Sequence, residues 1–194
     1  MAPTVKAEVR KQVFRQRKMY SQEDVRLKSA GVTKRVIDYL SRIPAHEPME
    51  EIYLYASYGN EAATGALIEL CLARNIKVAL PRVCDDLENM EFYYIVSAKD
   101  VEEGYRGIPE PASYCKKAKI SRKEQFMILP GVGFDLLRNR TGYGKGFYDR
   151  YLERYPNFVK IGICFEEQIF EEMEHSDNDI PMDVVITDQR VIES

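Results

Sequence analysis

The stretch IYLYASYGNEAATGALIELCLARNIKVAL, residues 52–80, decides the fold class. Ile52-Tyr53-Leu54-Tyr55-Ala56 is a β-rich run of aromatic and aliphatic residues, the composition of a buried strand. Glu61 to Arg74 reads as a helix that turns Ala66, Leu67, Leu70 and Cys71 inward. Lys77-Val78-Ala79-Leu80 is a second short apolar strand, halted by Pro81. Strand, helix and strand within about 30 residues make a βαβ unit, and its crossover helix implies parallel pairing.

Downstream of this unit, Phe92-Tyr93-Tyr94-Ile95-Val96 reads as another strand, and residues 97–122 read as a long surface connection punctuated by Gly104, Gly107, Pro109 and Pro111. Phe126-Met127-Ile128-Leu129-Pro130 restores the buried-strand pattern, a helix spans about Gly146 to Arg154, and strands lie near Val159–Phe165 and Val184–Thr187. Upstream, residues 4–19 read as a helix capped by Thr4, with Val5, Val9 and Val13 forming an i, i+4, i+8 stripe. A second helix starts at Ser21, with a break near Gly31, and runs to about Leu40; Pro44 and Pro48 stop it. The expected fold is α/β, a three-layer α/β/α arrangement with a mostly parallel central sheet and an amino-terminal helical segment, in one domain over 1–194.

Lys+Arg 28 against Asp+Glu 31, a net charge of −3, lacks the cation surplus that nucleic-acid binding requires, so no nucleic-acid partner is expected. No apolar run reaches the roughly 20 residues of a bilayer span, so no membrane partner is expected either. The amino terminus is charged from Lys6 onward and has no apolar core of a secretory signal. The cytoplasm is the expected compartment, with the mitochondrion as the alternative because Arg10, Arg15 and Arg17 are basic. Cys71, Cys84, Cys115 and Cys164 are too widely spaced for a zinc site and read as free thiols.

Ligands of open α/β sheets gather at the carboxyl ends of the strands. Three loops leave such ends: Ser57 to Glu61, Pro81-Arg82, and Pro130 to Asp135. The third leads into Arg138-Asn139-Arg140-Thr141-Gly142-Tyr143-Gly144-Lys145-Gly146-Phe147-Tyr148-Asp149-Arg150. Glycines let successive N–H groups approach an anion, the following helix start adds its dipole, and Arg140 and Lys145 supply full charges. Neither a Walker A loop nor a dinucleotide fingerprint is present, since the GK[ST] ending and an immediately preceding strand are both missing.

Leu129-Pro130-Gly131-Val132-Gly133-Phe134-Asp135 together with Asn139 to Leu152 resembles the signature of the 5-formyltetrahydrofolate cyclo-ligases, also called 5,10-methenyltetrahydrofolate synthetases. The family pattern is approximately LPGxAFD followed by xRLGxGxGYYDRxL. Similarity extends to Lys6–Arg10, Glu61-Ala62-Ala63-Thr64, Ala79-Leu80-Pro81-Arg82 and Asp183 to Thr187, so it touches nearly the whole chain in order. The resemblance implies conversion of 5-formyltetrahydrofolate, with or without a polyglutamate tail, to 5,10-methenyltetrahydrofolate, with ATP as cosubstrate and Mg²⁺. ADP and phosphate are the other products, and a monomer or weak homodimer is expected.

Carried over residue by residue, Lys145 and Arg140 are the expected catalytic cations. Lys6, Arg10, Arg140, Gly142, Tyr143, Gly144, Lys145, Gly146, Phe147 and Tyr148 are expected to hold ATP. Glu61 matches the acid that receives pterin N–H groups, with Tyr58, Tyr143, Phe147 and Tyr148 framing the flat rings. Asp149 and Asp183 match the Mg²⁺-linked carboxylates, with Asp179 as an alternative to Asp183, and Arg82 either reaches the ligand or pairs with an acid. This chain departs from the family at Thr141, where Leu is usual, at Phe147, where Tyr is usual, and at Asn178-Asp179, where many members have His-Asp. Neither His46 nor His175 therefore inherits a role. The competing expectations are a folate or nucleotide binder without turnover, and a phosphosugar isomerase or CoA-transferase relative on a similar scaffold.

Overall fold

The expected βαβ unit forms the middle of the sheet in the computed structural model, which describes residues 3–43, 49–121 and 123–193. Helices α1 (Lys6–Arg17) and α2 (Gln22–Leu40) come first, then β1 (Glu51–Tyr53), α3 (Gly65–Ala73), β2 (Lys77–Val83) and β3 (Met90–Ile95). After them come β4 (Val101–Glu103), β5 (Pro109–Pro111), β6 (Lys116–Lys117), β7 (Gln125–Pro130), β8 (Gly133–Asp135) and β9 (Arg140–Thr141). Then follow α4 (Phe147–Arg154), β10 (Phe158–Ile163), β11 (Ile169–Phe170), β12 (Val184–Ile186) and β13 (Val191–Ile192).

The eight-stranded sheet has the order β13-β12-β10-β7-β1-β2-β3-β6. Strands β12, β10, β7, β1 and β2 are parallel, and antiparallel strands close both edges. Alternate residues serve opposite faces. Ile52, Leu54, Val78, Leu80 and Ile128 meet Val32 and Val36 of α2 and Leu67, Ile68 and Cys71 of α3. Tyr53, Ala79, Met127, Leu129 and Phe158 meet Tyr151 and Leu152 of α4 on the other face. Three layers result, and burial on both faces explains why the strands read as continuous apolar runs. Ile52, Leu54, Leu80 and Ile128 are fully buried, each worth about 1.5–3 kcal/mol of transfer free energy. Helix α1 stands apart: its Val9 and Val13 pack on Val132 and Met173, over a small sheet of order β11-β8-β9.

Several expectations change in detail. Thr4 does not cap α1, because its backbone is already paired with Glu172 and Glu174; Val5 takes the cap position and is exposed. Ser21 does cap α2, in a reciprocal pair with Asp24. Gly31 makes no break; a Cβ there would stand 3.2 Å from the Asp188 carbonyl, so the residue serves close packing. The stop at Pro44 and Pro48 lies outside the described residues.

Residues 61–64 are loop rather than helix, because Tyr55 donates to the Ala62 carbonyl at 2.7 Å and the Thr64 hydroxyl donates to the Tyr55 carbonyl at 2.6 Å. Helix α3 thus starts late and buries Ile68 while Ala66 stays exposed. Strand β2 runs through Pro81: β1 has ended at Tyr53, so the missing N–H has no ladder partner to disappoint on that side. The expected surface connection is instead partly ordered, since β4 and β5 pair as a hairpin. None of the described helices is long and apolar enough to cross a membrane. The four cysteines are free, with Cys71 and Cys164 buried.

Candidate active site

At the carboxyl ends of β1, β2 and β7 lies a cavity of about 580 Å³, and all three expected loops reach it. Tyr55 and Ala56 follow β1, Pro81 and Val83 come from β2, and Pro130 ends β7. Residues 140–149 form a second wall, and Lys6, Arg10 and Phe14 of α1 form a third. Tyr105, Arg106, Ile108, Pro109 and Glu110 close the remaining side from the β4–β5 hairpin.

The glycine-rich loop needs its glycines at two positions. Gly144 has φ +95° and Gly146, which caps α4, has φ +66°, backbone that L side chains disfavour. Arg10 Nε donates to the Gly142 carbonyl at 2.9 Å, tying α1 to this loop. One guanidinium nitrogen of Arg140 reaches both oxygens of Asp149 at 3.0 Å, and the group lies 5.4 Å from the Tyr148 ring centre. Lys6 is paired with Asp179. Lys145 lines the cavity, is exposed, and has no ion-pair partner among the described residues. The wall therefore combines charges held by partners with an exposed cation.

Glu61 sits opposite, and the geometry around it is closed. Tyr143 donates its hydroxyl proton to Glu61 Oε1 at 2.7 Å, and the Tyr58 N–H donates to Oε2 at 3.0 Å. Arg17 Nη1 donates to the Tyr143 hydroxyl at 2.8 Å, and Nη2 to the Gly131 carbonyl at 2.9 Å. Burial and the Glu61 carboxylate push the Tyr143 phenol above its ordinary range, against the pull of Arg17. Burial does the same for Tyr148, with Arg140 opposing. Both phenols thus stay protonated at neutral pH. Tyr143 stacks on Phe14 at 5.7 Å, and Phe147 meets Tyr105 edge-on at 6.3 Å, so the cavity offers flat apolar surfaces beside its charges.

Tyr58 lines the cavity and is exposed. Asp183 does not reach the cavity. It lies in a separate surface groove with His175 and is bound by Lys160, whose Nζ stands at 2.9 Å and whose N–H donates at 2.7 Å. The site therefore gathers Asp149 and Asp179 rather than Asp149 and Asp183. Among the described residues no cluster of three metal-ligating side chains exists, and Asp149 is already committed to Arg140. This donor set does not fit a resident metal ion. Arg82 does not line the cavity and has no acid partner among the described residues: it donates to the Pro111 and Ala112 carbonyls and stacks on Tyr93 at 3.7 Å. His46 lies outside the described residues.

Two contributors escaped the sequence. Arg17 is one, although it continues the Val9, Val13 spacing by another four residues, the signal that would have found it. The hairpin wall is the other, hidden because its glycines and prolines read as loop.

A model of the 5-formyltetrahydrofolate cyclo-ligase family matches residues 2–188. A Schizosaccharomyces pombe relative, described as a probable 5-formyltetrahydrofolate cyclo-ligase, is 28% identical over 179 residues, 84% of this chain and 85% of its own. The 5-formyltetrahydrofolate cyclo-ligase of Haemophilus influenzae is 29% identical over 136 residues, 69% of this chain and 73% of its own. The solved Aquifex aeolicus 5,10-methenyltetrahydrofolate synthetase superimposes with a TM-score of 0.78 at 30% identity, covering 97% of this chain and 92% of that one.

Proposed function

This chain belongs to the 5-formyltetrahydrofolate cyclo-ligase family, and from that premise we propose that it uses ATP to close 5-formyltetrahydrofolate to 5,10-methenyltetrahydrofolate, releasing ADP and phosphate. The observation that carries the reading is one cavity lined by the Gly142–Gly146 loop with Lys6, Arg10 and Lys145, by Glu61, and by the aromatic rings between them. One side suits a polyphosphate and the other a flat heterocycle with paired N–H donors.

In this reading the formyl oxygen attacks the γ-phosphorus and ADP leaves, giving a phosphorylated imidate. N10 then attacks the formyl carbon and loses its proton, and phosphate departs with the former formyl oxygen. The protein's task is alignment and charge compensation, which dominate phosphoryl transfer. Loop N–H groups and Arg10 hold the triphosphate, and Lys145, exposed in the cavity wall, follows the charge that develops on the transferred group. Arg140, clamped by Asp149, is a fixed positive wall. Gly142, Gly144 and Gly146 allow close backbone approach, while Tyr143, Phe147 and Tyr148 line the route between nucleotide and pterin. Glu61 receives pterin N–H groups, and Tyr58 covers the mouth. Phe147 lacks a hydroxyl and contributes by stacking alone.

Mg²⁺ enters this reading only on the nucleotide, where such ions keep most of their waters and take one or two carboxylates. Asp179, beside Lys6 in the cavity wall, is the better placed alternative to Asp183. Residues 1–194 act as one domain, as a monomer or weak homodimer, on folate with or without a polyglutamate tail. Free cysteines suit a reducing compartment, and the cytoplasm is the one we favour. Substrate labelled with heavy oxygen in its formyl group tests the route. The label is expected in the released phosphate, and its retention in folate or water would overturn the imidate path.

A further inference from the structure

We propose that Arg17 is a positioning residue for the folate end of the cavity, acting on Glu61 through the Tyr143 hydroxyl. Arg17 is 8% exposed and is not part of the cavity lining, so it touches no ligand itself. Its placement nevertheless joins three segments of the site. The Arg17 carbonyl accepts from Asn60 Nδ2 at 2.6 Å beside Glu61, Nη2 holds the Gly131 carbonyl after β7, and Nη1 holds Tyr143 in the glycine-rich loop.

The direction of these bonds matters more than their number. Guanidinium nitrogens only donate, so the Tyr143 oxygen must accept from Arg17. Its single proton is then committed to Glu61 Oε1. Tyr58 N–H occupies Oε2, and each carboxylate oxygen keeps one further acceptor site. Two acceptors are left side by side at a fixed angle, the complement of a ring N–H and an adjacent amino group. The Arg17 guanidinium also stands 3.8 Å from Oε1, so it faces the carboxylate directly as well as through the phenol. Without Arg17 the phenol regains a choice of partner and the carboxylate loses its angle.

This inference rests on the assignment of Glu61 to the pterin, so Glu61→Gln is measured alongside. Steady-state kinetics of Arg17→Gln, Tyr143→Phe and the double variant form the test, with both substrates varied. Arg17→Gln is expected to raise the folate KM about tenfold, the loss of one hydrogen bond to a charged network, while the ATP KM stays within about twofold. Because both residues belong to one chain of bonds, the double variant is expected to be no worse than the worse single one. Arg17→Lys keeps the charge but not the fork, and serves if Arg17→Gln does not fold; the same selective rise is expected. Equal rises in both KM values, or multiplying single effects, overturn the proposal while leaving Glu61 in place. A wild-type folate KM in Glu61→Gln overturns both.

Discussion

One nitrogen of Arg140 donates to both carboxylate oxygens of Asp149, each at 3.0 Å, in a cavity wall where Arg140 is only 7% exposed. The pair fixes the start of α4 to β9 and holds a positive charge at a set position beside the glycine-rich loop. Removing the acid leaves the guanidinium buried without its counter-charge. Asp149→Asn is therefore expected to destabilise the fold by about 1–3 kcal/mol, read as a lower urea midpoint. An unchanged midpoint would show that the clamp is not structural.

Lys145 has the opposite character, an exposed cation with no acid to hold it among the described residues. A group that engages charge only as it develops contributes to kcat more than to ground-state binding. Lys145→Ala is expected to lower kcat by about 10²-fold or more, with folate affinity by calorimetry within about threefold of wild type. Wild-type kinetics would remove Lys145 from the site.

The conformation of Gly144, rather than crowding, limits what can replace it. Its φ of +95° is disfavoured for alanine, whereas an added Cβ would meet Arg10 at an ordinary 3.6 Å. Gly144→Ala is expected to cost roughly 1–2 kcal/mol of loop geometry and to raise the ATP KM, with little change in the folate KM. A rise confined to the folate KM would put the loop on the wrong substrate.

Acid should release the Lys6–Asp179 pair that joins α1 to the segment before β12. Burial alone would raise the Asp179 carboxyl, but Lys6 and the Ser176 N–H and hydroxyl hold it below the ordinary aspartate value. A depressed folded-state pKa stabilises the protein above the unfolded value and loses that contribution as pH falls through the folded one. Wild type is expected to lose this contribution below about pH 4, and Asp179→Asn to lose less between about pH 5 and pH 3. Parallel urea midpoints for the two proteins over that range would refute the assignment.

Much of this architecture could be read from local pattern. Ile52 to Leu80 announces a parallel unit because apolar strands buried on both faces leave an unbroken run, and Ser21-Gln22-Glu23-Asp24 announces a helix start because its capping bonds are local. Gly142 to Gly146 points to the cavity wall for the same reason. What stayed hidden depends on contacts distant in sequence. Arg17 is one of several cations in α1, and partners distant in sequence explain its burial: the Gly131 carbonyl and the Tyr143 hydroxyl, more than 100 residues away, and the Glu61 carboxylate. Asp183 and Asp179 are equivalent as letters. Their separation comes from Lys160 on β10, which claims the first, and Lys6 on α1, which claims the second.

Ring closure itself is the central claim, and direct turnover measures it. Purified protein with 5-formyltetrahydrofolate and Mg·ATP is expected to develop the absorbance of 5,10-methenyltetrahydrofolate, with one ADP formed per methenyl product and no product when ATP is withheld. Absence of both the chromophore and ADP under saturating substrates would contradict the account.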